Sequence, residues 1–244
     1  MSGQPCVIVI PIYKEIPSDD EILNLRLSLS KLTSDKVLVA PANLDLTFYQ
    51  EEFDLNRHEY FAPSYFKSVS SYSELLLTKE FYSRFNAYEF LLIYQLDAVV
   101  LRENLDFWTT LSYDYIGAPW PQGWEMQVKI PDFDIEQKVS LKAFVGNGGL
   151  SLRRISAVYK LFDEFPVTKI QWIRNQLPED LFFSLLGSIS KGLRVPNVRV
   201  ASMFSIELDP KLLMQLNGQE IPFGLHAWRT YDEKFWKEKL PQLR

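Results

Sequence analysis

Cysteine is almost absent from the sequence, because Cys6 is the only one among 244 residues. A single thiol excludes disulfides within the chain and zinc sites built from several cysteines, and it suits a reducing compartment. The first residues carry no basic leader, and the apolar run that they reach stops at Pro11, so we expect an opening strand there and not a signal peptide. These features together predict a cytoplasmic protein.

An excess of positive charge and long apolar runs are lacking as well. The 26 basic and 31 acidic residues give a net charge of -5, which offers no general attraction for nucleic acid or anionic lipid. No run is long enough to cross a bilayer. We therefore expect no nucleic-acid partner, and at most a peripheral association with the inner face of a membrane through the modestly basic stretch 234–239.

The first half of the sequence alternates apolar runs with helix-like segments. Strands are predicted by the apolar runs at residues 6–10, 36–40, 58–61 and 90–94. Capping-box pairs at Ser18 with Glu21 and at Ser71 with Glu74 predict two helices between them. This β-α-β-α-β order predicts an α/β fold with a mostly parallel central sheet flanked by helices, and a ligand crevice beyond the carboxyl ends of the strands. A single compact domain over residues 1–244 suits a chain of this length that is 47% hydrophobic.

The second half of the sequence is less regular. Glycine, proline and tryptophan are dense in residues 117–124, and residues 126–141 are polar with weak periodicity, so we expect loops at both places. A helix is predicted over residues 155–165, and Pro178 suits the first residue of another. The Asn147-Gly148 dipeptide is typical of a hairpin turn between two short strands.

Polar residues directly after the fourth predicted strand are the first candidates for chemistry. Gln95 and Asp97 lie there, at the edge of the expected crevice. A carboxylate is costly to place next to a buried strand unless it has a partner or a ligand. Asp97 would also serve as the cap of a turn, so ligand binding and capping both stay open on spacing alone.

Two later segments carry further candidates. Residues 144–153 read FVGNGGLSLR, in which Gly148 and Gly149 would let the backbone approach a ligand closely, unless they only form the hairpin. Glu179 and Asp180 open a predicted helix, whose dipole stabilises carboxylates. Acidic residues are also ordinary helix caps, so spacing alone does not assign them a role.

Five motifs taken in order are far more specific than any one of them. YQLDA, IGAPW, VGNGGLSLR, PEDLFFS and FGLHAW resemble a little-characterised glycosyltransferase-like family often associated with bacterial surface polysaccharides, and the similarity covers residues 7–228. The glycine-rich segment followed by a Glu-Asp pair also resembles inverting galactosyltransferase-like enzymes of the GT-A type. The resemblance implies a single GT-A-type, Rossmann-like domain, with a nucleotide-sugar-binding half over about 1–101 and an acceptor and catalytic half over about 102–244.

A divalent cation is part of what the resemblance implies. GT-A enzymes carry an Asp-x-Asp motif after this strand, whose carboxylates hold Mn²⁺ or Mg²⁺ against the donor diphosphate. Gln95-Leu96-Asp97 stands there in this sequence, so Asp97 is the only anionic ligand of the motif. His226 lies where many GT-A enzymes place a metal or diphosphate ligand, and neutral imidazole would complement Asp97. A purely structural His226 and a metal-independent site stay open.

Donor contacts follow from the same resemblance. Pro11 and Tyr13 come after the first strand, where GT-A enzymes seat the base and ribose of the nucleotide, which we expect to be UDP. Gln95 would add a neutral oxygen on the donor side. Tyr72 and Lys79 belong to the helical region before the fourth strand, and they are either donor contacts or plain helix surface.

The later motifs imply the acceptor side. The acceptor or sugar contacts expected from them are Trp120, Asn147, Gly148 and Gly149, with Trp120 as an apolar wall for a sugar face. Asp180 is the first choice for the catalytic base and Glu179 the second. The expected reaction is an inverting transfer from a nucleotide sugar to a hydroxyl of a saccharide or glycan, in surface polysaccharide or glycoconjugate synthesis. A lipid-linked acceptor stays open.

Other classes of function remain beside this reading. A retaining transferase on the same fold is the nearest, because sequence does not show which sugar face meets the carboxylates. A non-catalytic module that binds nucleotide sugars or glycans gains support from Gln95, which replaces the first aspartate of the motif. A glycoside hydrolase is disfavoured, because the adjacent residues Glu179 and Asp180 cannot flank a glycosidic bond.

Overall fold

The computed structural model describes residues 4–133 and 137–243. Its strands are β1 (Gln4–Pro11), β2 (Asp35–Pro41), β3 (His58–Phe61), β4 (Tyr88–Tyr94), β5 (Val99–Val100), β6 (Tyr115–Val128), β7 (Val139–Arg154), β8 (Ser205–Ile206) and β9 (Gly224–Leu225). Its helices are α1 (Asp19–Leu29), α2 (Thr47–Phe53), α3 (Val69–Leu76), α4 (Lys79–Ser83), α5 (Leu105–Thr110), α6 (Ile155–Glu164), α7 (Pro166–Arg174), α8 (Glu179–Gly187), α9 (Val198–Phe204), α10 (Pro210–Leu216) and α11 (Trp228–Lys239). Short 3₁₀ turns lie at Pro63–Phe66, Pro131–Phe133 and Pro241–Leu243.

A six-stranded sheet in the order β3-β2-β1-β4-β7-β6 forms the centre of the fold. The first four of these strands run parallel, and β7 and β6 complete the sheet in antiparallel pairing. The chain leaves β1 toward β2 and β3 and later returns to the other side of β1 with β4. A crevice opens at the carboxyl ends of two strands where the strand order reverses in this way. The α/β class with a mostly parallel sheet flanked by helices is therefore confirmed.

Both faces of the sheet are buried under helices. Val7 and Val9 point into a cluster with residues of α3, α4, α6, α7 and α8. Ile8 and Ile10 point the other way, into a cluster with residues of α1, α2, α5 and α9. This alternation is why β1 is a continuous apolar run, since a strand covered on both sides has no polar face. Among the described helices, none is long and apolar enough to cross a bilayer.

A second, three-stranded sheet in the order β5-β9-β8 lies beside the first. Val99, Ile206 and Leu225 supply its apolar side chains, which pack with Trp228 and Trp236 of α11. Strands β8 and β9 are parallel and pair Ile206 with Leu225. The residues that follow these two strands therefore come out side by side.

The four strands expected in the first half are confirmed, and so is the first capping box. The Glu21 N–H donates to Ser18 Oγ at 3.4 Å, and the Ser18 N–H donates to Glu21 Oε2 at 2.7 Å. The second box lies three residues earlier than predicted, because Ser68 is the N-cap and its Oγ accepts from the Ser71 N–H at 3.1 Å. Thr78 caps a separate helix, α4, so the single helix predicted there is two.

The helices predicted in the second half are close to their observed positions. The one expected over residues 155–165 is α6, which ends at Glu164. Pro178 is the N-cap of α8, one residue before the helix that it was expected to open. Local signals of capping and periodicity thus fix helix positions to within a residue here.

Two expectations for the second half are wrong, and a third holds only in part. Residues 117–124 belong to β6 and not to a loop. Of residues 126–141, only the two ends are strand, up to Val128 in β6 and from Val139 in β7, with a 3₁₀ turn at Pro131–Phe133 between them; residues 134–136 lie outside the described part. The two strands pair from Tyr115 to Val128, with register shifts around Ala118 and Pro119. Nor does the chain turn at Asn147-Gly148, because β7 continues through both. An Asn-Gly hairpin needs positive φ at the turn, whereas the described glycines with positive φ are Gly123 and Gly218. Pairing of β7 with β4 and β6 overrides the local turn preference.

Candidate active site

A cavity of about 410 Å³ lies at the carboxyl ends of β1 and β4, where the strand order reverses. Four of the predicted donor residues line it together: Pro11, Tyr13, Tyr72 and Gln95. They come from three separate elements, so their meeting is a consequence of the sheet topology. We call this cavity the donor crevice.

Two tyrosines give the donor crevice its chemical character. The Tyr13 side chain is 58% exposed, and Nζ of Lys14 lies 5.8 Å from the centroid of its ring. The Tyr72 hydroxyl is buried and, within the described residues, has no hydrogen-bond partner. A buried polar atom without a partner is rare in native proteins and indicates an unmet hydrogen bond that a ligand or a water would supply. The crevice thus combines an aromatic surface with a hydrogen-bonding group.

The remaining wall of the donor crevice was not predicted. Residues Phe66, Lys67, Ser68 and Val69 form it, at the turn that leads into α3. They bring a cation and the first backbone N–H groups of a helix to the crevice, both of which favour an anionic group. The Ser68 capping signal was available in the sequence, but the Ser71 pair three residues later competed with it.

Lys79 is the one predicted donor residue that lies elsewhere. It opens α4 and forms an ion pair with Asp163 of α6. It does not line the donor crevice. The physical reason is the break between α3 and α4, which gives the second helix an orientation of its own, so we correct the assignment of Lys79 to a surface ion pair.

A buried histidine joins the two strands of the small sheet to the end of β4. His226 follows β9 and is 8% exposed. Its Nδ1 lies 2.6 Å from Oε2 of Glu207, which follows β8. Its Nε2 lies 3.2 Å from Oδ1 of Asp97 and 3.3 Å from Oε1 of Gln95. The structure therefore brings the three predicted residues Gln95, Asp97 and His226 to one point.

Glu207 is a site residue that sequence reasoning missed. It is 5% exposed, and its contact with His226 depends on the parallel pairing of two-residue strands. Strands this short have no periodicity that a sequence pattern would reveal. The signal that remained was chemical, since a buried histidine that binds a ligand through one ring nitrogen usually hydrogen-bonds through the other.

The charges around His226 compensate one another. Burial alone would lower the pKa of His226, but its hydrogen bonds to Asp97 and Glu207 and their negative charges outweigh burial and raise the pKa to about 10. For Asp97, burial acts in the opposite direction and would raise the pKa. The hydrogen bond to His226 and its positive charge outweigh burial, so the pKa of Asp97 is lowered. The imidazole is held between two carboxylates.

The donor atoms at this point fit a divalent cation. Gln95 and Asp97 offer oxygens and His226 offers a ring nitrogen, a set that suits Mn²⁺ or Mg²⁺ when a ligand's phosphate completes it. Because the pKa of His226 is raised to about 10, Nε2 would release a proton when a cation binds. Glu207 on the second ring nitrogen is the arrangement that orients metal-binding imidazoles. Within the described ranges, there is no group of three or more histidine, cysteine, aspartate or glutamate side chains placed to hold a metal ion. A cation at this point would therefore also need the amide oxygen of Gln95 and the phosphate of a bound nucleotide.

Two glycines of β7 connect this point to the start of α8. A Cβ atom at Gly149 would lie 1.9 Å from Nε2 of His226. A Cβ atom at Gly148 would lie 2.9 Å from Oε1 of Glu179 and 3.3 Å from Cβ of Asp180. Distances below 3 Å exclude a side chain unless a neighbour moves, so the backbone needs glycine for close approach and not for its turn conformation. The glycine pair lies between the histidine and the acidic pair.

Glu179 is held on both oxygens. Its Oε1 pairs with Nη2 of Arg153 at 3.2 Å, and its Oε2 accepts from Oγ of Ser73 at 2.9 Å. Arg153 is fully buried, and its Nη1 donates to the Tyr82 hydroxyl at 3.0 Å. The carboxylate of Glu179 thus ties α8 to β7 and α3, which leaves it no free oxygen for an acceptor.

Asp180 is the freer of the two carboxyl groups. Its Oδ1 accepts from the Leu181 N–H at 2.7 Å, and within the described residues no partner of Oδ2 is seen. Burial and the neighbouring charge of Glu179 raise the pKa of Asp180 to about 7, although the Leu181 N–H and the Arg153 charge act in the opposite direction. A carboxyl group that titrates near neutral pH is suited to general-base chemistry.

The two tryptophans of β6 differ in exposure, and the one expected to face an acceptor sugar is the buried one. Trp120 is 7% exposed and packs in the core, so it cannot serve as a wall for an acceptor sugar, and we correct that assignment. Trp124, whose ring centroid lies 6.1 Å away, is 48% exposed. Residues on one strand alternate in direction, and the bulges of β6 decide which of the two faces the solvent. Asn147 is half-buried and pairs with Ala118 across the ladder.

Comparison with known proteins gives a family, and solved structures that match include a galactosyltransferase. A comparison with curated proteins finds no match. The crystal structure of the galactosyltransferase LgtC, in complex with donor and acceptor sugar analogues, is 11% identical, with a TM-score of 0.48 over 90% of this chain and 86% of that chain. A family model described as "Protein of unknown function (DUF5672)" matches residues 56–226. The chain belongs to this DUF5672 family.

Proposed function

We propose that the protein is a glycosyltransferase that moves a sugar from a nucleotide-sugar donor, a UDP-sugar in the first instance, to a hydroxyl of a saccharide acceptor. One observation carries the proposal. At a single edge of the sheet, the donor crevice and the Gln95, Asp97 and His226 cluster are joined through Gly148 and Gly149 to a carboxyl group whose pKa is about 7.

The donor crevice supports recognition of a nucleotide. The exposed ring of Tyr13 would stack on the base. The unpartnered hydroxyl of Tyr72 would bond to a ribose or phosphate oxygen, and Lys67 would face the phosphates. Donor binding would thus draw mainly on residues 1–101, with His226 as a contribution from the second half.

The cluster of Gln95, Asp97 and His226 is suited to stabilise the leaving diphosphate through a bound cation. Asp97, Gln95 and His226 would hold Mn²⁺ or Mg²⁺, and Glu207 would keep the His226 ring in place. A cation bound there would neutralise charge on the diphosphate as it leaves.

The reacting step would fall to Asp180. Its carboxylate would accept the proton of the acceptor hydroxyl while that oxygen forms a bond to the anomeric carbon of the donor sugar. The bond from the anomeric carbon to the diphosphate breaks with both electrons on the nucleoside diphosphate. Attack from the face opposite the leaving group inverts the anomeric configuration, and Glu179 keeps the first turn of α8 in place.

The biological setting of the proposal is synthesis of a surface polysaccharide or glycoconjugate in the cytoplasm. The acceptor would be a saccharide, and a lipid-linked acceptor would bring the enzyme to the inner face of the membrane. Donor binding in about 1–101 and acceptor binding in about 102–244 would make one catalytic domain.

A thermal-shift titration tests the donor. UDP-sugars and sugar nucleotides with other bases are added with Mn²⁺, Mg²⁺ or a chelator, since a ligand that binds the native state raises the unfolding temperature. We expect a UDP-sugar with a cation to give the largest rise. If no nucleotide sugar changes the unfolding temperature under any of these conditions, the proposal is wrong.

Product analysis separates the remaining classes. Transfer across an acceptor panel is followed by mass spectrometry, and NMR gives the anomeric configuration of the product. Inversion supports Asp180 as the base, whereas retention assigns the chain to a retaining transferase. Binding of a nucleotide sugar with neither hydrolysis nor transfer would make it the non-catalytic module that Gln95 favours.

A further inference from the structure

A groove of about 1010 Å³ lies on the reacting side of the molecule. Strand β7, the end of α8 and residues 188–199 form its walls. Neither Asp180 nor any residue of the donor crevice lines it. We call it the basic groove, for the charges described below.

The basic groove begins where the proposed reacting site ends. Ser184 lines it, lies one helical turn after Asp180, and donates its hydroxyl to the Asp180 carbonyl oxygen at 2.6 Å. On the other wall, Val145 lines the groove directly before Gly146 and the acceptor segment 147–149. Between these points α8 packs directly on β7, because a Cβ atom at Gly146 would lie 1.6 Å from Oγ of Ser184. A chain of sugars with its last residue at Asp180 would reach the groove by passing over this contact.

The charges that line the basic groove are of one sign. Lys142, Arg194 and Arg199 line it, and no aspartate or glutamate does, although the whole chain has a net charge of -5. Arg194 is partly offset by Asp114, which lies 3.1 Å from its Nε. A basic surface on an acidic protein attracts anionic ligands locally, against the sign of the whole chain.

Lys142 and Arg199 are the two uncompensated cations. In the ranges that the structure describes, neither forms an ion pair. Glu125 lies opposite Lys142 in the β6–β7 ladder, but its carboxylate accepts the Ser140 hydroxyl. The only contact of the Lys142 ammonium that the structure shows is the Phe144 ring, whose centroid lies 5.2 Å away. Both charges are available to a ligand.

Aromatic surface accompanies the charge. Phe144 is 42% exposed and lies on the groove wall beside Lys142, and Tyr113 lines the groove as well. Trp124, 48% exposed, pairs across the ladder with Ala143 of the same wall. Rings of this kind pack against the C–H faces of sugars, while hydroxyls such as that of Ser188 bond to sugar oxygens.

We propose that the basic groove binds the acceptor as an anionic glycan, a chain of sugars that carries carboxylate or phosphodiester groups. The proposal rests on the glycosyltransferase function proposed above and names the class of its acceptor. The aromatic walls favour a saccharide, and the uncompensated cations favour one with negative charges at intervals along the chain.

Binding of defined probes to the purified chain, without donor, tests the proposal. The probes are oligogalacturonate, its fully methyl-esterified neutral form, an oligo(mannosyl phosphate) whose sugars are joined by phosphodiesters, and a single-stranded DNA oligonucleotide of similar charge. The test variant combines Lys142→Ser with Arg199→Ser. The matched control combines Lys129→Ser with Arg174→Ser, two exposed cations outside the groove, so that the net charge changes equally.

We expect one of the two anionic glycans to bind, the neutral ester to bind much more weakly, and the test variant to lose roughly ten-fold in affinity while the control keeps it. Whichever anionic glycan binds identifies carboxylate or phosphodiester as the charge. Equal binding of the neutral ester, equal loss in the control variant, or no binding of either anionic glycan overturns the proposal. DNA binding as tight as that of the glycans, with the same loss in the test variant, also overturns it and assigns the groove to nucleic acid.

The same titrations distinguish failure of the groove from failure of the function. Nucleotide-sugar binding is measured separately by thermal shift on the wild-type chain. Groove binding without any nucleotide-sugar binding would reject the glycosyltransferase and keep an anionic-glycan site. The reverse result would keep the transferase and reject the anionic acceptor.

Discussion

Gly149 and His226 are in such close contact that a Cβ atom at position 149 would lie 1.9 Å from the ring Nε2. The Gly149 carbonyl oxygen also accepts the Gln95 N–H at 2.9 Å, which holds the backbone at Gly149 in place. Neither side of the contact has room to yield, because Glu207 holds the ring from behind. The position of the histidine is thus set by a glycine far from it in sequence.

Replacement of Gly149 by alanine should displace His226. We expect a loss of about 1–3 kcal/mol in the free energy of unfolding, the usual cost of an overpacked site, together with a loss of the thermal shift caused by a nucleotide sugar and Mn²⁺. Gly192→Ala is the matched control, because the nearest atom to its Cβ lies 3.6 Å away. An unchanged nucleotide-sugar shift in Gly149→Ala would show that His226 does not serve the donor.

Asp180→Asn should remove the catalytic base and leave the donor crevice intact. We expect the turnover rate to fall by roughly 10²–10⁴-fold, the usual contribution of a general base, while the dissociation constant of the donor stays the same. The wild-type rate should fall as the pH drops below about 7, because protonated Asp180 cannot accept a proton. A wild-type turnover that is independent of pH down to about 5 would contradict the assignment.

The same substitution should change the pH dependence of stability. Since the pKa of Asp180 rises from an ordinary value of 3.8 to about 7 on folding, the native state binds more protons than the unfolded state between these values. The wild-type chain therefore loses stability as pH rises through this window. Asp180→Asn cannot titrate, so we expect it to exceed wild type by more than about 1 kcal/mol at about pH 8, and by much less at about pH 4. Chemical denaturation at both pH values measures this, and equal differences would reject a raised pKa.

Glu179→Gln, which breaks a buried ion pair, should lower the free energy of unfolding far more than a substitution that breaks an exposed ion pair. The substitution leaves the guanidinium of Arg153, which is fully buried, without its ion-pair partner, and breaking a buried pair in this way costs about 3–5 kcal/mol. Lys79→Met breaks the exposed pair with Asp163 and should cost less than about 1 kcal/mol. Urea denaturation compares the two. A loss in Glu179→Gln no larger than in Lys79→Met would show that the buried pair does not support α8.

Residues that follow regular strands were predictable, because the topology rule for α/β sheets depends only on strand order. Gln95 was placed at the crevice edge in this way, the resemblance added Pro11 and Tyr13 after the first strand, and all three line the donor crevice. Asp97 and His226 were joined by the resemblance and lie 3.2 Å apart. Such assignments need no knowledge of distant pairing.

Residues that depend on long-range pairing were not predictable. Trp120 and Trp124 were assigned to a loop, because the bulged ladder of β6 with β7 hides the alternation that marks a strand. The Asn147-Gly148 turn failed for the same reason, since pairing on both sides of β7 decides its backbone. Glu207 depends on two-residue strands, which are too short to show a periodicity in the sequence.

Glu207→Gln offers a test of the histidine as part of a cation site and not only as core. The carboxylate of Glu207 lies 2.6 Å from Nδ1 of His226 and keeps a proton on that nitrogen, so Nε2, which faces Asp97 and Gln95, is the nitrogen that would bind a cation after losing its own proton. Loss of such a partner typically lowers metal affinity roughly 10–100-fold. We expect Mn²⁺ binding in the presence of UDP, measured by electron paramagnetic resonance, to weaken by this amount. Nitrogen NMR of the His226 ring should show a mixture of ring protonation patterns in the variant, which a purely structural loss would not require.

Glu233→Gln, which alters an exposed ion pair of α11 with Lys237, is the matched control and should leave both measurements unchanged. If Mn²⁺ binds the Glu207 variant and wild type equally, the cation does not rest on His226.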